Sequence, residues 1–447
     1  MLTKPSKSDP DRPYTIYAST VFNSRSLAFD KDVSIRIDPK IGCIISVAST
    51  PPNLGLVQAP DFDLRGYTIL PGFVDSHAHV LVHAFSETPA IYQEKDESLT
   101  ERILRAGNNA KAGLKAGFTT YRDLGTEGAF NADIGIRDAI SRGIIPGPRL
   151  FVATEALAST GGYEIRQENK IGGTFVPRLS DPCDGVDGVK SAVRRRIGSG
   201  ADVIKFYAEY RRRTLRFPQP TWTGSIPIKY PPYSTGKMND NLNNPLNPPS
   251  TLFDQDEMNA IVIEAKRAKA PVAAHASSPE AVIMASNAGV TSIEHGAMPF
   301  DESLEAMKKN DTIFVPTLCV ADLELGSDKE NLKKVLAHTK KAHDMGIRLA
   351  TGGDTGESPH GENVRELELF LEAGIPLEHT LRAATLGGWE ACGGDWCGYR
   401  FGWVGEGWQA DLVVLEGDPR EDKGALRRVD MVIKDGNVVV DRGRIVE

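Results

Sequence analysis

The sequence predicts an α/β chain: a (β/α)8 barrel flanked by β-strands from both chain ends. Three observations carry that expectation. The two ends read as β, the middle alternates short apolar strands with helical patterns, and several middle strands close on a histidine, lysine or aspartate. Length agrees. A chain of 447 residues is too long for one simple core and has room for a barrel of about 250 residues plus an attachment.

Residues 1–69 supply the first β region. "YTIYAST", "KDVSIRID", "CIISVAS" and "FDLRGYTIL" are rich in Val, Ile, Thr and Tyr and are separated by turns. Residues 70–399 supply the alternating region. Its candidate strands are "TILPGFVDSHAHV", "GFTTYRDLG", "PRLFVATEALAS", "ADVIKFYA", "APVAAHAS", "VTSIEHGA", "DTIFVPTL" and "GIRLATGGD". Helical patterns such as "SLTERILRAGNNAKAGLKA", "DEMNAIVIEAKRAKA" and "SPEAVIMASNA" lie between them. Such alternation implies a parallel sheet, and eight units point to a barrel; an open, doubly wound sheet fits the same periodicity. Residues 209–250 break the pattern with Pro, Asn and aromatic residues. This insert follows the fourth strand, so in a barrel it covers the mouth as a lid or substrate loop. A surface excursion or oligomer contact is the other reading. Residues 400–447 return to β with "ADLVVLEGD" and "RVDMVIKDGNVVVDRGRIVE", in which "KDGN" signals a hairpin.

Composition excludes several classes. Hydrophobic residues make up 40% and charged residues 25%, as in ordinary soluble proteins. A formal net charge of -8 argues against nucleic-acid or anionic-membrane partners, which require a basic face. No apolar run approaches the roughly 18 residues of a membrane helix. "MLTKPSKSDPDRPY" lacks the apolar stretch of a secretory signal, so a cytoplasmic location is expected. Five cysteines (Cys43, Cys183, Cys319, Cys392, Cys397) form no C-x-x-C and are expected as reduced thiols. Pairing or metal binding by "CGGDWC" is the less favoured reading.

The chemistry lies at the strand ends. In "PGFVDSHAHV", strand alternation puts Asp75, His77 and His79 on one face. Lys205 sits in "VIKFYA", His275 in "VAAHAS", His295 in "SIEHGA" and Asp354 in "ATGGDT". Each alone has an ordinary structural explanation. Together, in register with strand ends that converge in a barrel, they describe one pocket. Four neutral imidazoles and a carboxylate suit Zn2+ or a similar divalent ion. A lysine buried beside two cations loses its proton readily and can take up CO2 as a carbamate that bridges them. The expectation is therefore two divalent ions, zinc foremost, with carboxylated Lys205 between them. The ions bring a shared water's pKa near neutral, and Asp354 takes its proton and later protonates the leaving group.

Further residues have two readings each. Tyr207 shares a strand face with Lys205 and either polarises a carbonyl or packs. Arg211 either holds a substrate carboxylate or belongs, with Arg212, Arg213 and Arg216, to a solvated basic run. His83 and His360 suit substrate contact or ligand support. His338, His343 and His379 fall in helical patterns and are expected at the surface, and "RRR" at 194–196 as a solvated helix face.

"PGFVDSHAHV", "VIKFYA", "AAHA", "IEHG", "TGGDTG" and "GWQADLVVLEGDP" together resemble the amidohydrolase superfamily over nearly the whole chain. The resemblance implies a metal-dependent hydrolase on a (β/α)8 barrel, with a β-sandwich built from both chain ends. It implies His77 and His79 on one metal with Asp354, His275 and His295 on the other, and Lys205 as the bridging carbamate. "TTYRDLG" (Arg122, Asp123) and "HGENVRELELFLEAG" (His360) resemble the imidazolonepropionase-like and prolidase-like branch, which includes dipeptidases, carboxypeptidase-type amidases and ochratoxinase-like enzymes. Two departures stand out. Relatives that cleave aminoacyl amides often carry Gly-Gly-His after the third strand, where this chain has "STGGYEI" with Tyr163, a position for substrate contact. They often run from the lysine into a Gly-rich turn, where this chain has "FYAEYRRR". The implied activity is hydrolysis of an amide, cyclic amide or peptide-like C–N bond by metal-activated hydroxide, in a small-molecule substrate, by a homo-oligomer. A decarboxylase or isomerase on the same metal site is the alternative.

Overall fold

The computed structural model describes residues 12–163, 177–211, 249–297 and 299–446. The chain opens with four strands: β1 (Tyr14–Asn23), β2 (Ala28–Asp38), β3 (Cys43–Ser49) and β4 (Phe62–Pro71). In β1 the buried Tyr14, Ile16 and Ala18 alternate with half-buried Thr15 and Tyr17, the period of a strand with one face in a core. β1 pairs antiparallel with β2 and parallel with β4.

The middle strands are β5 (Phe73–Ala78), β6 (Phe118–Asp123), β7 (Arg149–Val152), β8 (Ala156–Ala158), β9 (Ser180–Pro182), β10 (Ile204–Tyr207), β11 (Glu209–Arg211), β12 (Pro249–Thr251), β13 (Val272–Ala276), β14 (Ser292–His295) and β15 (Ile313–Val315). Helices stand between them where the sequence places them. The helix Leu99–Lys115 starts on Ser98, which accepts from the Glu101 amide. Gln255–Arg267 starts on a reciprocal Asp254/Glu257 capping box. Pro279–Ala288 stops at left-handed Gly289.

The parallel strands form a three-stranded sheet, β5-β6-β7, and a six-stranded one, β15-β14-β13-β10-β8-β9. The predicted third strand divides because Thr154 is left-handed (φ +62°), so β7 pairs with β6 and β8 with β10. The predicted eighth strand forms no ladder. Isolated parallel bridges instead join Leu349 to Phe314 of β15 and Thr355 to Ala78 of β5. Backbone bonds run from Ala350 N to Phe314 O (3.1 Å) and from Ser76 N to Thr351 O (2.9 Å), so this segment touches both sheets. Gly352 permits the approach: a Cβ there would stand 2.6 Å from the His77 amide nitrogen.

The chain closes with β16 (Leu412–Leu415), β17 (Val429–Lys434), β18 (Asn437–Asp441) and β19 (Arg444–Ile445). The two ends interleave in one eight-stranded sheet ordered β19-β18-β17-β16-β4-β1-β2-β3. "KDGN" turns from β17 to β18 with positive φ at both Asp435 and Gly436, the geometry that matches strand twist. One face of this sheet buries Ile16, Ile35, Leu64, Leu412 and Ile433. The other sends Phe22, Leu70, Val413 and Leu415 against Phe73 and Phe118, joining the sheet to the strand–helix layer. No described helix is long and apolar enough to cross a membrane, and all five cysteines are free. Of the 209–250 insert only β11 and β12 are described, as an antiparallel pair; the rest, with Arg212, Arg213, Arg216 and the Arg211 side chain, lies outside the described residues.

Two surface expectations are corrected. Arg196 is buried on the stripe Val189, Ala192, Val193, Arg196 and is charge-paired with Glu155 (2.6 Å) and Asp181 (3.2 Å). His338 is 5% exposed on the stripe Leu332, Val335, His338, Ala342, its ring edge-on to Phe314 at 6.2 Å. The helical period carries both residues to the apolar face. Burial pushes the His338 pKa down to about 4, against about 6.5 in the unfolded chain. Above pH 6.5 both states are neutral there. Between 6.5 and 4 only the unfolded chain gains a proton, so stability falls as pH falls. His338→Leu should remove roughly 2–3 kcal/mol of that loss, read as a flatter dependence of urea unfolding on pH over this window.

Candidate active site

The site begins at the tip of β5. His77 lies in the strand and His79 just beyond it, where its amide bonds Thr355 O (2.7 Å). Asp75 is not aimed at the histidines. It accepts from Thr355 Oγ1 (2.7 Å), Asn363 Nδ2 (2.7 Å) and the His77 amide (3.1 Å), tying the 353–363 segment to the first parallel strand.

Asp354 Oδ1 stands 3.0 Å from His79 Nε2 and 3.5 Å from His77 Nε2. These ligand atoms lie within 4.8 Å of one another, the one described group of three or more that could hold an ion. Oδ1 is buried and no donor is aligned on it. Nearby nitrogens that do not point at the oxygen suit a shared ion better than a hydrogen bond.

His275 ends β13 and His295 ends β14. The rings run in a chain: His79 to His77 at 5.4 Å, His77 to His295 at 5.0 Å, His295 to His275 at 4.5 Å. Second partners orient them. His79 Nδ1 bonds Gly125 O (2.8 Å), His295 Nδ1 bonds Thr317 Oγ1 (2.9 Å), and His77 Nδ1 lies 3.0 Å from Glu294 Oε2. In each, Nε2 is left for a ligand. Lys205 is 2% exposed, its Nζ has no hydrogen-bond partner, and the Tyr207 ring centre is 5.9 Å away.

The electrostatics follow burial. It pushes His77 down to about 4, His275 down to about 3 and His295 well below the usual range, so these imidazoles are neutral. It pushes Lys205 down to about 8 despite Glu294 and Asp354. For His79 burial is outweighed by Asp354, helped by Glu127 and Asp123, which lift it to about 10. Asp354 falls well below the carboxylate range despite burial, because His77, His79 and His295 surround it. A divalent cation can replace the proton that this pair attracts.

Sequence reasoning missed Glu294, Arg122's partnership with it, and Glu127. Arg122 is fully buried and donates to Ser76 O (2.6 Å), Ser292 Oγ (2.9 Å), Ala391 O (3.0 Å) and Glu294 Oε1 (2.8 Å). Glu294 therefore spans from Arg122 to His77. The available signal was a charged residue in each of two otherwise buried strands, "TTYRD" and "SIEH". Glu127 accepts from Tyr163 Oη (2.7 Å) and Tyr207 Oη (3.3 Å). His83 is engaged by Glu97 (2.8 Å) and Glu87 (3.3 Å). His360 bonds Val82 O (3.0 Å) and stacks on Tyr121.

A family model described as the amidohydrolase family matches residues 68–225 and 233–439. Ochratoxinase from Aspergillus niger is 29% identical over 385 residues, 79% of this chain and 71% of that protein. A crystal structure of a Xaa-Pro dipeptidase with bound methionine superposes with a TM-score of 0.77 at 27% identity, covering 96% of this chain and 99% of the other. A prolidase complexed with N-methylphosphonate-L-proline gives 0.75 at 27% identity over 96% and 100%. The chain belongs to the amidohydrolase family, alongside prolidases and ochratoxinase, and is an enzyme that hydrolyses amide or peptide C–N bonds.

Proposed function

We propose that the enzyme is a metal-dependent hydrolase of peptide-like amides with a dinuclear site. The observation that carries this reading is the convergence of His77, His79 and Asp354 beside a buried lysine nitrogen without a partner. The donor set fits. Neutral imidazoles and a carboxylate suit zinc, and a carbamate on Lys205 would give its orphaned nitrogen a role. His77, His79 and Asp354 would hold one ion, His275 and His295 the other, and carboxylated Lys205 would join them. Residues 1–69 and 400–447 then form the flanking β unit, and 70–399 a closed barrel; bonds on both sides of residues 349–355 support the closure.

Two divalent ions would supply an acidified water and a polarised substrate carbonyl. The chain's own residues do the rest. Asp354 accepts the proton of the attacking water and returns it to the leaving nitrogen. Glu294, pinned by Arg122, sets a carboxylate oxygen 3.0 Å from His77 Nδ1. Tyr163 and Tyr207 form an aromatic wall, stacked at 4.1 Å.

The test is metal content by plasma mass spectrometry, with a panel of dipeptides and N-acylated amino acids assayed in 18O-water before and after chelation. About two ions per chain, 18O in the acid product, and activity lost on chelation and restored by zinc are expected. Full activity in metal-stripped protein would sink the reading.

A further inference from the structure

We propose that Glu127 and the tyrosines around it form a subsite for a substrate ammonium group, so that the preferred substrates carry a free amino terminus. This inference rests on the hydrolase reading above and specifies its substrate class.

Glu127 belongs to the loop after β6, and its backbone is left-handed at φ +47°, a conformation that few non-glycine residues adopt. The result is a carboxylate laid alongside a candidate ligand. A Cβ built on Gly125 would stand 3.2 Å from Glu127 Oε1 and 3.6 Å from His79 Cε1. The Gly125 carbonyl meanwhile orients that same imidazole.

The walls are aromatic. Tyr163 and Tyr207, which donate to opposite oxygens of Glu127, stack at 4.1 Å with 21° between their planes. Tyr210 stands edge-on to both, at 4.8 Å and 5.8 Å. Tyr207 also faces His275 at 4.9 Å, so the shelf runs between the two halves of the ligand set.

Among the described residues no lysine or arginine comes within ion-pair distance of Glu127. Arg102, which feels the Glu127 charge, gives its hydrogen bonds to the Leu81 and Thr126 carbonyls, and His79, which feels it too, is held by Asp354 at 3.0 Å. Two phenol hydroxyls orient a carboxylate without neutralising it, and each oxygen retains a lone pair. Glu94 adds an independent observation. It is 8% exposed and has no hydrogen bond to a described residue, and burial first, then the Glu127 charge, pushes it up to about 8, so it holds a proton that an incoming ammonium would displace. A half-buried carboxylate held at the hydroxyl ends of two stacked tyrosines, beside a candidate metal ligand, is complementary to an ammonium ion. An N-acylated substrate brings no positive charge there and leaves Glu127 uncompensated.

The experiment compares matched substrates on the zinc-loaded full chain: methionyl-proline and other dipeptides, each free and N-acetylated. Wild type should have the higher kcat/KM for the free form. Glu127→Gln should lower the free-to-acetylated selectivity ratio roughly 10- to 100-fold, mostly through KM, with metal content unchanged. Wild type also gives a readout that needs no variant. A non-hydrolysable phosphinic dipeptide should inhibit more tightly with a free amine than when acetylated. Equal or reversed preference in wild type, or a ratio unmoved by Glu127→Gln, overturns the subsite and leaves the hydrolase reading standing. A metal-restored chain that turns over neither form of any pair overturns the hydrolase reading and the subsite with it.

Discussion

Asp354→Asn is expected to lower kcat by roughly 10²- to 10⁴-fold while leaving the fold intact. The change is isosteric, and asparagine tolerates the positive φ of this position (+51°) better than most residues. What disappears is the charge and the ability to take a proton. Oδ1 stands 3.0 Å from His79 Nε2 and 3.5 Å from His77 Nε2, so the carboxylate is central to the candidate site, whereas Glu294 meets only the far nitrogen of His77 and is paired with Arg122. Titration links the two partners as well. His79 is raised to about 10 chiefly by Asp354 working against burial, so the variant should return it towards ordinary or lower values. Steady-state kinetics alongside metal content check this. Wild-type turnover in Asp354→Asn would remove Asp354 as the base, whatever its role as a ligand.

Lys205→Met should separate stability from function. The buried Nζ has no hydrogen-bond partner, and burial already depresses its pKa to about 8. An unpaired polar nitrogen in a dry interior costs folding free energy, and methionine fills a similar volume without that cost. The metal-stripped variant is therefore expected to be more stable than metal-stripped wild type, by roughly 1–4 kcal/mol. Its metal content should fall from about two ions to about one, and turnover by at least roughly 100-fold. Thermal unfolding of both stripped proteins, with metal analysis of the loaded ones, decides it. A destabilised variant that still binds two ions would mean Lys205 supports structure alone.

Much of this candidate site is legible in sequence because β5, β10, β13 and β14 each carry a histidine or lysine within a short buried strand, where such a residue stands out. His77, His79, His275, His295, Lys205 and Asp354 are all findable this way. Glu294 shows in the sequence only as a charge in a buried strand; its role is hidden because its partner Arg122 lies 172 residues away and only folding brings them to 2.8 Å. Tyr207 shares a strand face with Lys205, but its hydroxyl donates to Glu127, a pairing across 80 residues that no local pattern reveals. The eighth strand is visible as a pattern but forms no ladder, because its chain passes close to His77 at Gly352 and is joined to its neighbours only by isolated bridges. His338 and Arg196 are buried despite their polarity because helical period places them on the apolar stripes.

The interleaved end sheet has a consequence for synthesis. β4 takes β1 on one side and β16 on the other, so its second edge stays unpaired until Leu412–Leu415 have been made. At roughly 5–20 residues per second, the ribosome leaves that edge open for tens of seconds while the whole alternating region is translated. Open edges recruit other strands, including those of sister chains on the same message. Ile69 and Leu70, which end up fully covered, are the residues at risk in that interval. The second edge of β4 is thus exposed to wrong pairing until Leu412–Leu415 arrive to cover it.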